Sequence, residues 1–141
     1  MEWFVRAFMR ASLGWLVLGV TLGIAMTVHP AWRVFRTAHL HMNLVGFVAM
    51  MIFGVAYYVI PRFFGQPLYG RRLATAQWWL SNVGLAGMVA GFMMQAYNVR
   101  GWLVIEACGG VLQAGGAYVF AYNIWRTIGA ARVMILPLAE K

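Results

Sequence analysis

Four long apolar stretches dominate this chain of 141 residues. A helix needs about 20 apolar residues to cross the hydrocarbon core of a bilayer. Stretches of about that length cover residues 11–28, 37–60, 74–97 and 101–124. We therefore predict an all-α integral membrane protein, a four-helix bundle, in which residues 1–141 form a single transmembrane domain.

The amino-acid composition indicates that this chain lies in a lipid bilayer. Hydrophobic residues make up 63% of it and charged residues only 10%, whereas soluble domains carry about 25% charged residues. The net charge of +8 would also suit a nucleic-acid partner, but in a membrane protein such cations set topology and contact lipid headgroups. We predict no nucleic-acid partner. The single cysteine, Cys108, excludes a disulfide within the chain.

The distribution of cations predicts the orientation. With four spans, the N-terminus, the second loop and the C-terminus share one side of the membrane. That side would hold eight cations: Arg6, Arg10, Arg62, Arg71, Arg72, Arg126, Arg132 and Lys141. The other side would hold Arg33, Arg36 and Arg100. We predict that the chain lies in the inner (cytoplasmic) membrane. By the positive-inside rule, both of its termini then face the cytoplasm.

Glycines mark a possible contact between the third and fourth spans. Gly87 and Gly91 are four residues apart in the third span, with Gly84 nearby, and the pairs Gly109-Gly110 and Gly115-Gly116 interrupt the fourth. Small residues let transmembrane backbones approach closely. Because glycine is common in transmembrane helices, the alternative is that this spacing marks no helix contact.

Two histidines open the second span. His39 and His41 lie two and four residues after Thr37, or about 3 and 6 Å along a helix. Neutral imidazole is a good ligand for heme iron. Residues two apart on an α-helix are separated by about 200° of rotation, so these side chains point to nearly opposite sides and cannot both bind one iron. The alternative is that both are polar residues at the membrane interface.

The surrounding residues extend this pattern. Gly54 follows fifteen residues after His39, and Tyr57-Tyr58-Val59-Ile60 ends at Pro61. The segment resembles a heme-ligating helix of the catalytic subunit of the heme-copper oxidase superfamily, and His41-Met42-Asn43-Leu44 is similar to its nitric oxide reductase branch. The resemblance is close over residues 37–61 and elsewhere extends only to hydropathy.

The resemblance implies noncovalent low-spin heme b near the outer face, with His39 and His41 as the iron ligands. In that family, three arcs of four helices surround a pseudo-threefold axis. One arc corresponds to this chain, and the histidines of the family's copper site have no counterpart in it, so copper is not expected. By resemblance, His39 of one protomer and His41 of its neighbour would bind one iron. We predict a symmetric oligomer, with a homotrimer favoured over a dimer, and one heme per protomer.

Other polar residues near that face are candidate neighbours of the heme. The family's propionate-binding arginines precede the last helix of an arc, where Arg100 stands, and Arg33 and Arg36 lie at the same face. Asn43 is a polar candidate at the depth of Glu106. Glu106, about 8 Å into the fourth helix, could accept a histidine N–H, relay protons or pair with Arg100. Gln95 is a further polar candidate, and His29 is either an interfacial cap or a third ligand.

Three functions remain open from the sequence. The first is a b-type cytochrome for electron transfer or redox sensing, with quinol or a small cytochrome as candidate redox partners. The second is an oxidoreductase acting on oxygen, nitric oxide or quinol, which requires an iron with an open position or a second metal. The third is a heme-free structural subunit of a respiratory complex. We predict a redox protein rather than a self-contained enzyme, with no catalytic residues assigned.

Overall fold

The computed structural model describes the backbone of residues 1–135 and the side chains of residues 1–129, and over this part it is all-helical. Four helices follow one another: α1 (Trp3–Val28), α2 (Pro30–Phe63), α3 (Arg71–Ala96) and α4 (Trp102–Ile135). Three of them are long and apolar enough to cross a membrane, namely α1, α2 and the Trp102–Gly129 part of α4. The predicted all-α membrane protein is confirmed at this level.

Helix α3 covers the remaining predicted span but is more polar than the others. Its polar residues Gln77 and Ser81 are fully buried, and its buried positions also include Gly84, Leu85 and Gly91. Gln77 and Ser81 therefore face other helices instead of lipid, so these two residues lower the hydropathy of α3 without being exposed to the membrane.

Helix α1 begins at Trp3, not at residue 11 as the hydropathy predicts. The additional turns place Phe4, Val5 and Phe8 in the core, while Arg6 and Arg10 remain exposed. This spacing is typical of an amphipathic helix. A search for uninterrupted apolar residues misses the segment because the two arginines lie within it.

Helix α2 changes its winding along its length. A 3-10 turn covers Pro30–Phe35, an α-helical turn covers Arg36–His41, a wider π-helical segment covers Met42–Ala49, and α-helix resumes over Met50–Phe63. The predicted end at Pro61 is wrong, because Pro61 lies inside the last turn. Proline removes one N–H, and the chain turns only after the backbone N–H groups of Phe64, Gly65 and Gln66 bond back to that turn.

Contacts at one end of the bundle establish the direction of the helices. Glu2 pairs with Arg71, with 3.0 Å between their charged groups. Asn123 bonds both backbone groups of Gly70 at 2.9 Å. The start of α1, the loop between α2 and α3 and the late part of α4 therefore meet at one end, as the four-span arrangement predicts. Of the cations assigned to that end, the side chain of Arg132 and the whole of Lys141 lie outside the described part of the chain.

The contact between α3 and α4 is built on glycine. A Cβ added to Gly84 would lie 2.6 Å from the backbone nitrogen of Gln113, and one on Gly91 would lie 2.6 Å from the Cβ of Glu106. On the facing helix, a Cβ on Gly109 would lie 2.5 Å from the backbone nitrogen of Met88. The predicted glycine contact is confirmed for these positions, whereas Gly110 and Gly115 have open space around them.

Candidate functional site

His39 lies in a groove on α1 formed by two glycines. Its Nδ1 is 2.8 Å from the carbonyl oxygen of Gly19, and a Cβ added to Gly23 would lie 2.8 Å from its Cε1. Any larger residue at position 23 would displace the imidazole. Sequence reasoning missed Gly19 and Gly23, although their spacing of four residues is the same signal that identified the α3–α4 contact.

His41 lies on the other side of α2. Its ring contacts Phe92 of α3, with 4.8 Å between the ring centroids. Its Nδ1 is 2.9 Å from the carbonyl oxygen of Thr37 in the preceding turn. Because His39 contacts α1 and His41 contacts α3, the predicted divergence of the two side chains is confirmed.

The hydrogen bonds of both histidines favour the tautomer that carries the proton on Nδ1. A carbonyl oxygen only accepts, so Nδ1–H must donate to Gly19 in His39 and to Thr37 in His41. Asn43 Nδ2 also lies 3.3 Å from Nδ1 of His39, and one of its two N–H groups donates to the carbonyl oxygen of His39 at 2.8 Å. In the neutral form of a ring that donates from Nδ1, Nε2 is the nitrogen that is free to bind a metal. A carbonyl partner on the opposite nitrogen is typical of histidines that bind metals.

An open cavity of about 670 Å³ adjoins His39 at the end of the bundle away from the Glu2–Arg71 pair. We call it the His39 cavity. Its wall combines polar, basic and apolar side chains: Gly23, Met26, Thr27, Arg33, Arg36, His39 and Leu40. The cavity thus brings an imidazole and two guanidinium groups together, next to apolar side chains.

The remaining predicted residues are placed differently. Asn43 contacts His39 as described, and its side chain fills the space beside Gly19. Arg100 is exposed in the turn before α4 and is not part of the wall of the His39 cavity. Gln95 is exposed. His29 is exposed beside Trp32, with 5.6 Å between the ring centroids.

Glu106 lies against Gly91 of α3. Its Oε2 is buried, and among the described residues no hydrogen-bond partner reaches that atom. No ion pair between Glu106 and Arg100 is found in the described part of the chain, and the histidine contact and the proton relay stay predictions. Within the same part of the chain, no group of three His, Cys, Asp or Glu side chains comes together to hold a metal ion.

Comparisons with known proteins agree on one family. The family model described as cytochrome c and quinol oxidase polypeptide I matches residues 4–138. A cbb3-type cytochrome c oxidase subunit CcoN1 of Stutzerimonas stutzeri is 28% identical over 133 residues, which cover 77% of this chain and 27% of that protein.

Two further relatives are similar at the same level. A cytochrome c oxidase subunit 1 of Rhodobacter capsulatus is 28% identical over 64% of this chain and 22% of its own length. A cytochrome c oxidase subunit 1 homolog of Azorhizobium caulinodans is 28% identical over 70% of this chain and 22% of its own length. The chain thus spans about a quarter of the length of these curated relatives. Because the family match extends over nearly all of the described helices, the chain belongs to the heme-copper oxidase subunit I family.

Proposed function

We propose that the chain is a membrane b-type cytochrome that binds noncovalent low-spin heme through His39 and His41. One observation carries the proposal: both histidines donate Nδ1–H to a backbone carbonyl and keep Nε2 free for a metal. Membership in the subunit I family supports heme as the ligand. Bound heme would supply one-electron redox chemistry, which suits electron transfer or redox sensing.

The residues around His39 have the chemical character that a heme group requires. The His39 cavity offers apolar contacts from Met26 and Leu40 for a porphyrin, and its volume of about 670 Å³ is adequate for a cofactor. Arg33 and Arg36 stand on the same wall and could hold the two propionates by charge-assisted hydrogen bonds. Asn43 would steady the imidazole from the α2 side. The proposed roles of Arg33, Arg36 and Asn43 all concern binding and orientation.

The divergence of the two histidines has a consequence for assembly. His39 contacts α1 and His41 contacts α3, so one chain does not present both rings to one iron. We propose that His39 of one protomer and His41 of a neighbour would together hold each heme iron. A head-to-tail contact of this kind closes into a ring with identical sites, and we favour a homotrimer with one heme per protomer.

Purification of the chain after expression with heme supplied tests this proposal in one experiment. We expect a low-spin, bis-histidine absorption spectrum that changes on reduction, one heme per chain, and a detergent-corrected mass of three chains. A colourless protein would contradict the heme proposal. A monomer with fully low-spin bis-histidine heme would contradict the shared site alone.

A second candidate function is catalysis of a redox reaction. The relatives named above are cytochrome c oxidase subunits, and this observation favours an oxidoreductase that contains the chain as one part. Such a reaction needs an iron with an open coordination position or a second metal. A high-spin spectrum that shifts on addition of carbon monoxide would favour this alternative over the cytochrome.

We propose that both termini face the cytoplasm and that the heme lies toward the outer face. The six described cations Arg6, Arg10, Arg62, Arg71, Arg72 and Arg126 support this orientation, because Arg33, Arg36 and Arg100 are the cations of the other end. A reporter active only outside the cytoplasm should stay silent when fused after Lys141 and respond when inserted beside Arg100. The reverse pattern would invert the topology.

A further inference from the structure

A second cavity lies at the end of the bundle that contains the Glu2–Arg71 pair. We call it the Arg62 cavity, and it measures about 340 Å³. The ionised side chains in its described wall are those of Glu2, Arg62 and Arg71. Glu2 pairs with Arg71 at 3.0 Å. The positive charge of Arg62 therefore has no opposite charge in the described part of this wall, and the cavity suits an anion.

The guanidinium of Arg62 is positioned by its own helix. It lies 3.8 Å from the centroid of the Tyr58 ring, and its Nη1 donates to the carbonyl oxygen of Tyr58 at 2.6 Å. A guanidinium carries five N–H groups in one plane. Arg62 can therefore keep this bond and still present two parallel N–H groups to an oxyanion, the arrangement in which arginine binds phosphate.

An apolar groove runs along the outside of α2 beside Arg62. We call it the α2 groove. It measures about 330 Å³, and every residue of its wall is apolar: Met51, Ile52, Val55, Ala56, Val59 and Ile60. Ala56 is the smallest of these residues and lies one turn from both Ile52 and Ile60. A larger side chain at position 56 would therefore fill the groove.

The groove and the guanidinium share one face of α2. Residues seven apart return to nearly the same face of an α-helix, and Val55 and Arg62 both lie in the α-helical segment Met50–Phe63. Met51 is about 16 Å from Arg62 along the helix axis, roughly half the thickness of a hydrocarbon core of about 30 Å. The guanidinium thus stands at one end of a groove as deep as one lipid leaflet.

Aromatic side chains beside Arg62 mark the level of the membrane interface. Phe63, the next residue, is 82% exposed, and Tyr58, one turn earlier, is also exposed. Exposed aromatic rings beside an arginine at the end of a span are typical of the headgroup region. A lipid phosphate therefore lies at the depth of the Arg62 cavity, and its acyl chains lie at the depth of the α2 groove.

We propose that the Arg62 cavity and the α2 groove together bind one anionic phospholipid. Its phosphate contacts the Arg62 guanidinium, and one of its acyl chains lies across Ala56. Because Glu2 occupies Arg71, the preference for an anionic headgroup depends on Arg62. The site lies at the opposite end of the bundle from the His39 cavity, so the proposal does not rest on heme binding.

Lipid binding to the purified full chain tests this site. Native mass spectrometry measures the first bound lipid while phosphatidylglycerol, which is anionic, or phosphatidylcholine, which is zwitterionic, is added to the protein in detergent. Arg62→Gln removes the charge of the cavity. Its matched control is Arg72→Gln, which removes the same charge from an exposed residue at the same end but outside the cavity wall. Ala56→Leu fills the groove, and Ala117→Leu enlarges an exposed alanine of α4 as its control.

We expect the unchanged chain to bind phosphatidylglycerol at least about fivefold more tightly than phosphatidylcholine. Arg62→Gln should weaken phosphatidylglycerol binding about tenfold, the effect of losing a charge-assisted hydrogen bond, and Arg72→Gln should weaken it less than about twofold. Ala56→Leu should weaken the binding of both lipids, whereas Ala117→Leu should leave both unchanged.

Three results would overturn the proposal. Equal effects of Arg62→Gln and Arg72→Gln would show that the lipid responds only to the net charge of the chain. Unchanged binding of both lipids to Ala56→Leu would remove the α2 groove from the site. In a third arm, inorganic phosphate is added at the concentration of the lipid. Complete displacement of phosphatidylglycerol there would show that the cavity binds free phosphate and not a lipid.

Discussion

Replacement of His39 or His41 by alanine is expected to abolish the low-spin spectrum of the heme-loaded protein. Each change removes one axial ligand from every iron if the ligands come from neighbouring protomers. Loss of a partner outside the coordination sphere already costs about 10- to 100-fold in metal affinity, so heme content should fall by roughly tenfold or more. The measurement is the absorption spectrum and heme-to-protein ratio of the purified variants.

His29→Ala is the matched control for these variants. His29 is an exposed imidazole that stacks beside Trp32 and lies outside the wall of the His39 cavity. We expect its removal to leave the spectrum intact. Circular dichroism should show the same helix content in all three variants. Loss of heme in His29→Ala alone, with His39→Ala and His41→Ala unaffected, would show that the ligands are assigned wrongly.

The second large effect is expected at Gly109. A methyl group there would meet three backbone atoms of α3 at 2.5 to 2.8 Å, and backbone atoms cannot move aside as a flexible side chain can. Overpacking of this kind typically costs about 1–3 kcal/mol. We therefore expect Gly109→Ala to lower the free energy of unfolding by that amount, measured by equilibrium unfolding in mixed micelles.

The adjacent glycine offers a control with the opposite sign. A Cβ on Gly110 meets nothing within 4 Å, and alanine is favoured over glycine in a helix by up to about 1 kcal/mol. Gly110→Ala should therefore leave the stability unchanged or raise it slightly. If both alanine variants unfold alike, the close α3–α4 contact does not exist in the membrane protein.

The sequence predicted those features that depend on local periodicity. The all-α membrane class follows from the apolar stretches, and the divergence of His39 and His41 follows from the rotation per residue within Arg36–His41, which is α-helical. The glycines of α3 and α4 were identified because close backbone approach requires small residues in a repeated register. Each of these inferences needs only the geometry of a single helix.

Other features depend on which helices become neighbours. Two features of the site require the packing of α1 against α2. One is the hydrogen bond between His39 and the carbonyl oxygen of Gly19. The other is the cavity wall, which contains Arg33 and Arg36 beside His39 but not Arg100. The start of α1 at Trp3 depends on burial of Phe4 and Phe8 by other helices. The third span was predicted from hydropathy alone, yet its polar residues Gln77 and Ser81 are fully buried within the bundle. Heme binding, the trimer and the orientation remain predictions.

The π-helical segment Met42–Ala49 lies between the two histidines and the C-terminal half of α2, which contains Phe53 and Tyr57. Wide turns of this kind commonly appear as single-turn bulges at functional sites, and adding or removing one residue in a helix changes the direction of everything beyond it by about 100°. Because of this segment, the direction in which the His39 and His41 side chains point can change without changing how Phe53 and Tyr57 pack. A descendant of this chain could redirect its histidines toward a different neighbour by gaining or losing one residue here, while the aromatic core stays in place.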